Sequence, residues 1–219
     1  MTRSSGDAEP PTSSVPHTHF DTLYRDSSDP WQLASAWYER RKYAITVAAL
    51  PRERYRSGLE PGCSIGELTR LLAARCDRLM AFDFADAVVR AARASLGGWP
   101  NVHVERRSLP AELPGGSYDL IVVSEVLYYL SATDLASTVD GLIARLDADG
   151  DLVAVHHRAI DRCYGYDGFN VHESLADRPE LREISWFDEA DFALRVFRKQ
   201  PPLGITGSGP ERDAGSGGS

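Results

Sequence analysis

Cysteine is scarce: Cys63, Cys76 and Cys163 are the only three in 219 residues, and no metal-ligand spacing relates them. So few cannot staple a small scaffold or build a cysteine metal centre. No metal is expected, and the three read as reduced thiols of a cytoplasmic protein. Long apolar runs are missing too. None approaches the roughly 18 residues that span a bilayer, and the first residues lack a signal peptide's apolar core, so no membrane partner is expected. Positive charge is in deficit, with 24 Lys and Arg against 32 Asp and Glu and a net charge of −8. Nucleic acid selects basic faces, so it is not an expected partner. Internal repeats are absent.

What is present is the balance of a globular domain, 42% hydrophobic and 26% charged, long enough to bury a sizeable core. The two ends are poor in apolar residues. Residues 1–18 are rich in Ser, Pro and Thr, and 204–219 in Gly, Ser and charge. Neither offsets its ordering entropy by burial, and both are expected to be disordered. Residues 19–203 remain as one domain, with an N-terminal helical lid over 19–55 and a core over 56–203.

Asp29 and Pro30 form a helix start, and apolar spacing from Trp31 to Leu50 predicts a helix that Pro51 ends. Strands and helices then alternate. "YRSGLE", "RLMAFDF", "NVHVER", "YDLIVVSEV" and "DLVAVHH" read as strands, separated by helices over 66–75, 85–96 and 133–146. Four consecutive apolar residues in "DLIVVS" mark a strand covered on both faces. Two more strands, "LREISWF" and "FALRVFRK", follow across a turn at Asp188–Ala190. Such alternation predicts an α/β fold with a parallel sheet and helices on both faces. Ligands in such sheets sit beyond the carboxyl ends of the strands, so the residues just after each strand carry the functional information.

After the first strand comes "LEPGCSIGELTRLLA". Gly62 and Gly66 permit close backbone approach, and the helix start that follows could suit a pyrophosphate. Glu60 in the turn argues otherwise, because a carboxylate repels phosphate and suits a cation. Pro61 and Ser64 also break a G-x-G-x-x-G fingerprint. Asp83 ends the second strand, where a carboxylate can hold both ribose hydroxyls. Ser108 and Leu109 follow the third strand and can meet a purine edge through a hydroxyl and a backbone N–H. "SEVLYYL" follows the fourth. In order, the four strand ends describe a site for a cationic, phosphate-free nucleoside, S-adenosylmethionine.

The chain resembles the class I S-adenosylmethionine-dependent methyltransferases, and more narrowly the NodS-type small-molecule methyltransferases, in "DPWQ", "WYER", "LEPGCSIGELT" and "SEVLYYL". The likeness runs from about Phe20 to Lys199. It implies a Rossmann-like doubly wound sheet, mostly parallel with an antiparallel C-terminal hairpin. It also implies S-adenosyl-L-methionine as cofactor and S-adenosyl-L-homocysteine as product. By the resemblance, Glu60, Gly62, Cys63 and Gly66 border the methionine portion, Asp83 holds the ribose and Ser108 lies by the adenine. Ser124 and Glu125 sit under the methionine or substrate end. Trp31, Tyr38 and Arg40 come from a helix lidding the cofactor, with Arg40 the candidate for the methionine carboxylate. Ser108 departs from the acid that many members of the wider class carry there.

The expected reaction is methyl transfer to N or O of a small polar metabolite, such as an amino sugar or natural-product intermediate, by a monomer or homodimer. A base with pKa near ambient would be histidine. His156 and His157 end the fifth strand, and alternation sends them to opposite faces. His157 or His172 is the candidate base, with Glu125 or one of Tyr128 and Tyr129 positioning the acceptor. His17, His19 and His103 are given no role, Cys63 is read as packing, and Arg41 and Lys42 as solvated. The competing readings are an NAD-dependent oxidoreductase on a related fold and a non-catalytic S-adenosylmethionine-binding protein.

Overall fold

Apolar runs and the turns between them set the architecture. The computed structural model of the protein describes residues 11–158 and 168–201. Seven strands form one sheet: β1 Gly58–Pro61, β2 Leu79–Asp83, β3 Val102–Arg106, β4 Tyr118–Ser124, β5 Leu146–His157, β6 Leu181–Asp188 and β7 Phe192–Lys199. Their spatial order is β3-β2-β1-β4-β5-β7-β6. The first five strands run parallel, and β7 pairs antiparallel with both β5 and β6. The chain thus winds outward from β1 in one direction, then from β4 in the other. The switch point lies between β1 and β4, where the carboxyl ends open a crevice.

The helices are α1 His17–Asp26, α2 Trp37–Ala48, α3 Glu67–Ala73, α4 Asp86–Ser95, α5 Ala132–Arg145 and α6 Gly168–Ala176. Leu120, Ile121, Val122 and Val123 of β4 are fully buried, between two apolar layers. Burying each such side chain contributes about 1.5–3 kcal/mol. Helix α5 starts where the Ser131 hydroxyl accepts the Asp134 N–H at 3.1 Å, an N-cap. Gly66, at φ +89°, starts α3, and a Cβ there would lie 2.9 Å from Leu96 Cδ1 of the α4 layer.

The predicted helix from Trp31 is shorter than expected. Asp29 does accept the Leu33 and Ala34 N–H groups, at 2.8 and 3.0 Å. Gln32, however, takes φ +56°, a left-handed residue that breaks helical propagation, and α2 begins only at Trp37. Helix α1 lies mostly within the expected helical lid but begins at His17, inside the 1–18 stretch expected to be disordered; Phe20, at helical spacing from Leu23 and Tyr24, anchors it in the core. Cys63 and Cys76 are free, buried thiols; Cys163 lies outside the described residues. No helix among the described residues is long and apolar enough to cross a membrane.

Candidate active site

A cavity of about 270 Å³ opens at the carboxyl ends of β1, β2 and β4, under α1 and α2. Its floor is the turn after β1. Gly62 takes φ +74° and Ser64 φ +47°, bending the chain away from the strand so that it leaves room above. Glu60, 2% exposed, lines the cavity with Oε2 buried and unpartnered. Burial pushes its carboxyl up to about 8; a hydrogen bond with the Thr69 side chain opposes the rise and the Asp83 charge adds to it. Asp83 lines the same cavity, its carboxylate accepting the Ser64 and Ala85 N–H groups, each at 3.1 Å. Burial raises its pKa, and these backbone bonds oppose the rise. The two acids therefore converge on one space, as the spacing predicts.

Most predicted residues meet there. Trp31, Tyr38, Gly62, Cys63, Ser108, Leu109, Ser124, Glu125 and His157 all line the cavity together with Glu60 and Asp83. Burial drives the Cys63 thiol upward, so it packs and is no nucleophile. The Ser108 backbone N–H is already given to Glu112 at 2.8 Å, and its hydroxyl meets His17 Nε2 at 3.2 Å and the Leu109 carbonyl at 3.4 Å. Two buried acids in the lining suit a cationic ligand, and the acid-lined turn disfavours a pyrophosphate. Glu60 and Asp83 are the residues that could hold the cationic and ribose parts of S-adenosylmethionine, with Ser108 lining the same cavity.

Three predicted residues lie elsewhere. Arg40 is exposed and does not line the cavity; its guanidinium donates to the Ser35 carbonyl and sits 6.0 Å from the Trp37 ring. The helical turn explains this: Tyr38 and Lys42, four apart, share one face, and Arg40 between them points away. Gly66 lies outside the cavity and acts in the α3–α4 packing described above. His172 sits on the other side of β5, 1% exposed, sharing a 3.0 Å hydrogen bond with His156. Burial holds these imidazoles down at about 2 and about 3. A neutral buried pair of this kind is no base for the cavity, so of the two candidates His157 remains.

Sequence reasoning missed Lys42, and Arg41 is not free either. Lys42 is 2% exposed and lines the cavity. Its Nζ donates to Glu125 Oε1 at 2.7 Å and to Glu39 Oε1 at 3.1 Å. Burial pulls its pKa down, but the Glu125 and Glu39 charges outweigh it and the net shift is upward. Arg41 makes two bonds to Glu189, at 2.6 and 2.7 Å. A basic run on a helix reads as solvated until the facing carboxylates, 83 and 148 residues away, are known. His17, given no role, also lines the cavity; it stacks on Phe84 at 4.1 Å and shares a 3.2 Å hydrogen bond with Ser108 Oγ. Only the position of α1 could have shown it.

Comparison with known proteins bears on the family. A sequence model of the family described as Nodulation protein S (NodS) matches residues 18–176. Nodulation protein S of Bradyrhizobium diazoefficiens is 31% identical over 127 residues, 57% of this chain and 61% of that protein. The Rhizobium tropici protein of the same name is 32% identical over 146 residues, 63% of this chain and 59% of that protein. The chain thus spans about three fifths of the length of these curated relatives. Among solved structures, a putative methyltransferase from Pseudomonas syringae is 43% identical with a TM-score of 0.67, covering 75% of this chain and all of that one. N-methyltransferase NodS from Bradyrhizobium japonicum, in complex with S-adenosyl-L-homocysteine, is 27% identical with a TM-score of 0.74. That match covers 82% of this chain and 97% of that one.

Proposed function

The chain belongs to the Nodulation protein S (NodS) family, and on that premise we propose that it transfers a methyl group from S-adenosylmethionine to a nucleophilic nitrogen or oxygen of a small polar metabolite. The observation carrying this reading is the convergence of two buried acids, Glu60 and Asp83, on one cavity. Nitrogen is the favoured acceptor atom. The cavity is lined by five carboxyl side chains, Glu39, Glu60, Glu67, Asp83 and Glu125, against two cations, Lys42 and Arg107. That balance draws amines and disfavours phosphate-bearing acceptors. The related B. japonicum structure is described as an N-methyltransferase.

Bound there, S-adenosylmethionine supplies a methyl already made electrophilic by its sulfonium sulfur. The protein's work is alignment and exclusion of water, worth up to roughly 7–11 kcal/mol of the barrier. An amine attacks only when neutral. His157 lines the cavity at the end of β5, its ring centroid 6.0 Å from that of Tyr38. An imidazole nitrogen of His157 receives the proton the amine gives up, a role worth on the order of 10²–10⁴ in rate. Glu125 is not that base. Its carboxylate already accepts from Lys42, the Tyr128 hydroxyl at 2.6 Å and the His157 N–H at 3.0 Å, so it sets geometry instead.

Calorimetric titration with S-adenosylhomocysteine tests the reading, with NAD as the competing ligand. S-adenosylhomocysteine binds and NAD does not. Asp83→Asn weakens the former about 100-fold, the loss expected when a charge-assisted hydrogen-bond acceptor is neutralised. Equal affinity in the variant, or preference for NAD, would sink the assignment.

A further inference from the structure

We infer that Lys42 is a positioning residue for the acceptor side of the cavity: its buried ammonium ties the Glu125 carboxylate to helix α2 and, through Glu125, holds the backbone of His157. The functional meaning rests on the methyl-transfer reading; the coupling itself rests on geometry alone.

Glu125 collects donors from three separate elements. Oε1 takes Lys42 Nζ of α2 at 2.7 Å. Oε2 takes the Tyr128 hydroxyl from the short turn after β4 and the His157 N–H at the tip of β5. Its own backbone is left-handed, at φ +56°, a conformation that persists only where the surroundings dictate it. Lys42 completes those surroundings from above. Its ammonium is 2.7 Å from Glu125 and 3.0 Å from Glu39 Oε2, and 5.0 Å from the Tyr38 ring centroid. Tyr38 in turn packs edge-on against the His157 ring. Lys42 is therefore joined to His157 by two routes, one through the Glu125 carboxylate and one through the Tyr38 ring.

The rival role for Lys42 is direct capture of an anionic group, such as the cofactor's carboxylate. Charge disfavours it. Two carboxylates already face this one ammonium, and a third would be repelled by both. An ammonium so paired is not available to recruit an anion; it instead fixes the two carboxylates relative to each other.

The test is nuclear magnetic resonance of the backbone amides in full-length protein, wild type against K42M. Removing the ammonium leaves Glu39 and Glu125 uncompensated, so K42M/E39Q serves as a second variant that relieves the repulsion and keeps the fold. The His157 amide proton, donated to a carboxylate, resonates downfield in the wild type. In both variants it moves upfield and exchanges with solvent at least tenfold faster, while the amide of Leu152 in mid-β5 stays unchanged. S-adenosylhomocysteine affinity, measured calorimetrically in parallel, changes less than threefold. A His157 amide unmoved in K42M/E39Q overturns the inference. So does a 100-fold loss of S-adenosylhomocysteine affinity, which makes Lys42 a direct ligand. Failure of the wild type to bind S-adenosylhomocysteine would count against methyl transfer, and the amide readout would still decide the coupling.

Discussion

Buried carboxylates stand at both ends of this sheet, and they are treated in opposite ways. Toward the amino ends, Asp151 is fully buried and saturated. Tyr55 donates to it at 2.9 Å and Arg198 at 2.8 Å, with the Arg52 guanidinium 3.5 Å away. Asp119 nearby accepts the Arg56 and Ser57 N–H groups at 3.0 and 2.8 Å. At the carboxyl end, Glu60 is equally buried but keeps an unpartnered oxygen. Buried charge is stable where its partners are built in. Where built-in cations are missing, burial instead holds the acid in its neutral form, as at Glu60, until a cation compensates its charge. A buried acid is part of the scaffold at one end and lines the candidate site at the other, and its hydrogen-bond partners separate the two.

The comparison can be broken most forcefully at the scaffold end of the sheet or at the acceptor group. His157→Ala is expected to lower methyl-transfer rate on an amine acceptor by about 10²–10⁴, with S-adenosylhomocysteine affinity retained. Wild-type turnover would remove His157 as base. Asp151→Ala leaves Arg198 and Tyr55 facing a void. It should cost about 3 kcal/mol of stability and lower Tm by roughly 6–12 °C, again with ligand affinity kept, as expected for distant sites. Loss of affinity without loss of stability would abolish the contrast between the ends.

A smaller effect sharpens it. Glu60, held up at about 8 in the ligand-free protein, is mostly protonated at neutral pH. A cationic ligand favours its ionised form, so binding expels a proton. Affinity for S-adenosylmethionine, which carries the sulfonium charge, should therefore rise with pH, by up to about tenfold per unit below about 8, and level off above it. Calorimetry in buffers of different ionisation enthalpy counts the proton. Glu60→Gln should flatten the profile, and a profile unchanged in the variant would place the titration elsewhere.

Legibility in the sequence follows the range of the interactions. β4 was readable because four successive apolar residues need cover on both faces, and all four are buried. Asp83 was readable because a strand end and a glycine turn about 20 residues upstream fix its place. The β6–β7 hairpin was readable from its flanking polar turn. Arg40 and Lys42 were misread because their orientation depends on the phase of α2. That phase is set by the left-handed Gln32 and by docking on Glu125. His172 was misread because a nine-residue helix on the far face of β5 brings it to His156, not to the cavity.

Residue order by itself determined the strands, the crossover pattern and the acidic glycine turn, since apolar period, backbone freedom and charge act within a few residues of one another. Which cation of "ERRK" is buried, which histidine faces the cavity and which carboxylate lacks a partner were decided only in three dimensions. One residue along a helix turns a side chain by about 100° and one along a strand by about 180°, so a single step of register exchanges solvent for site.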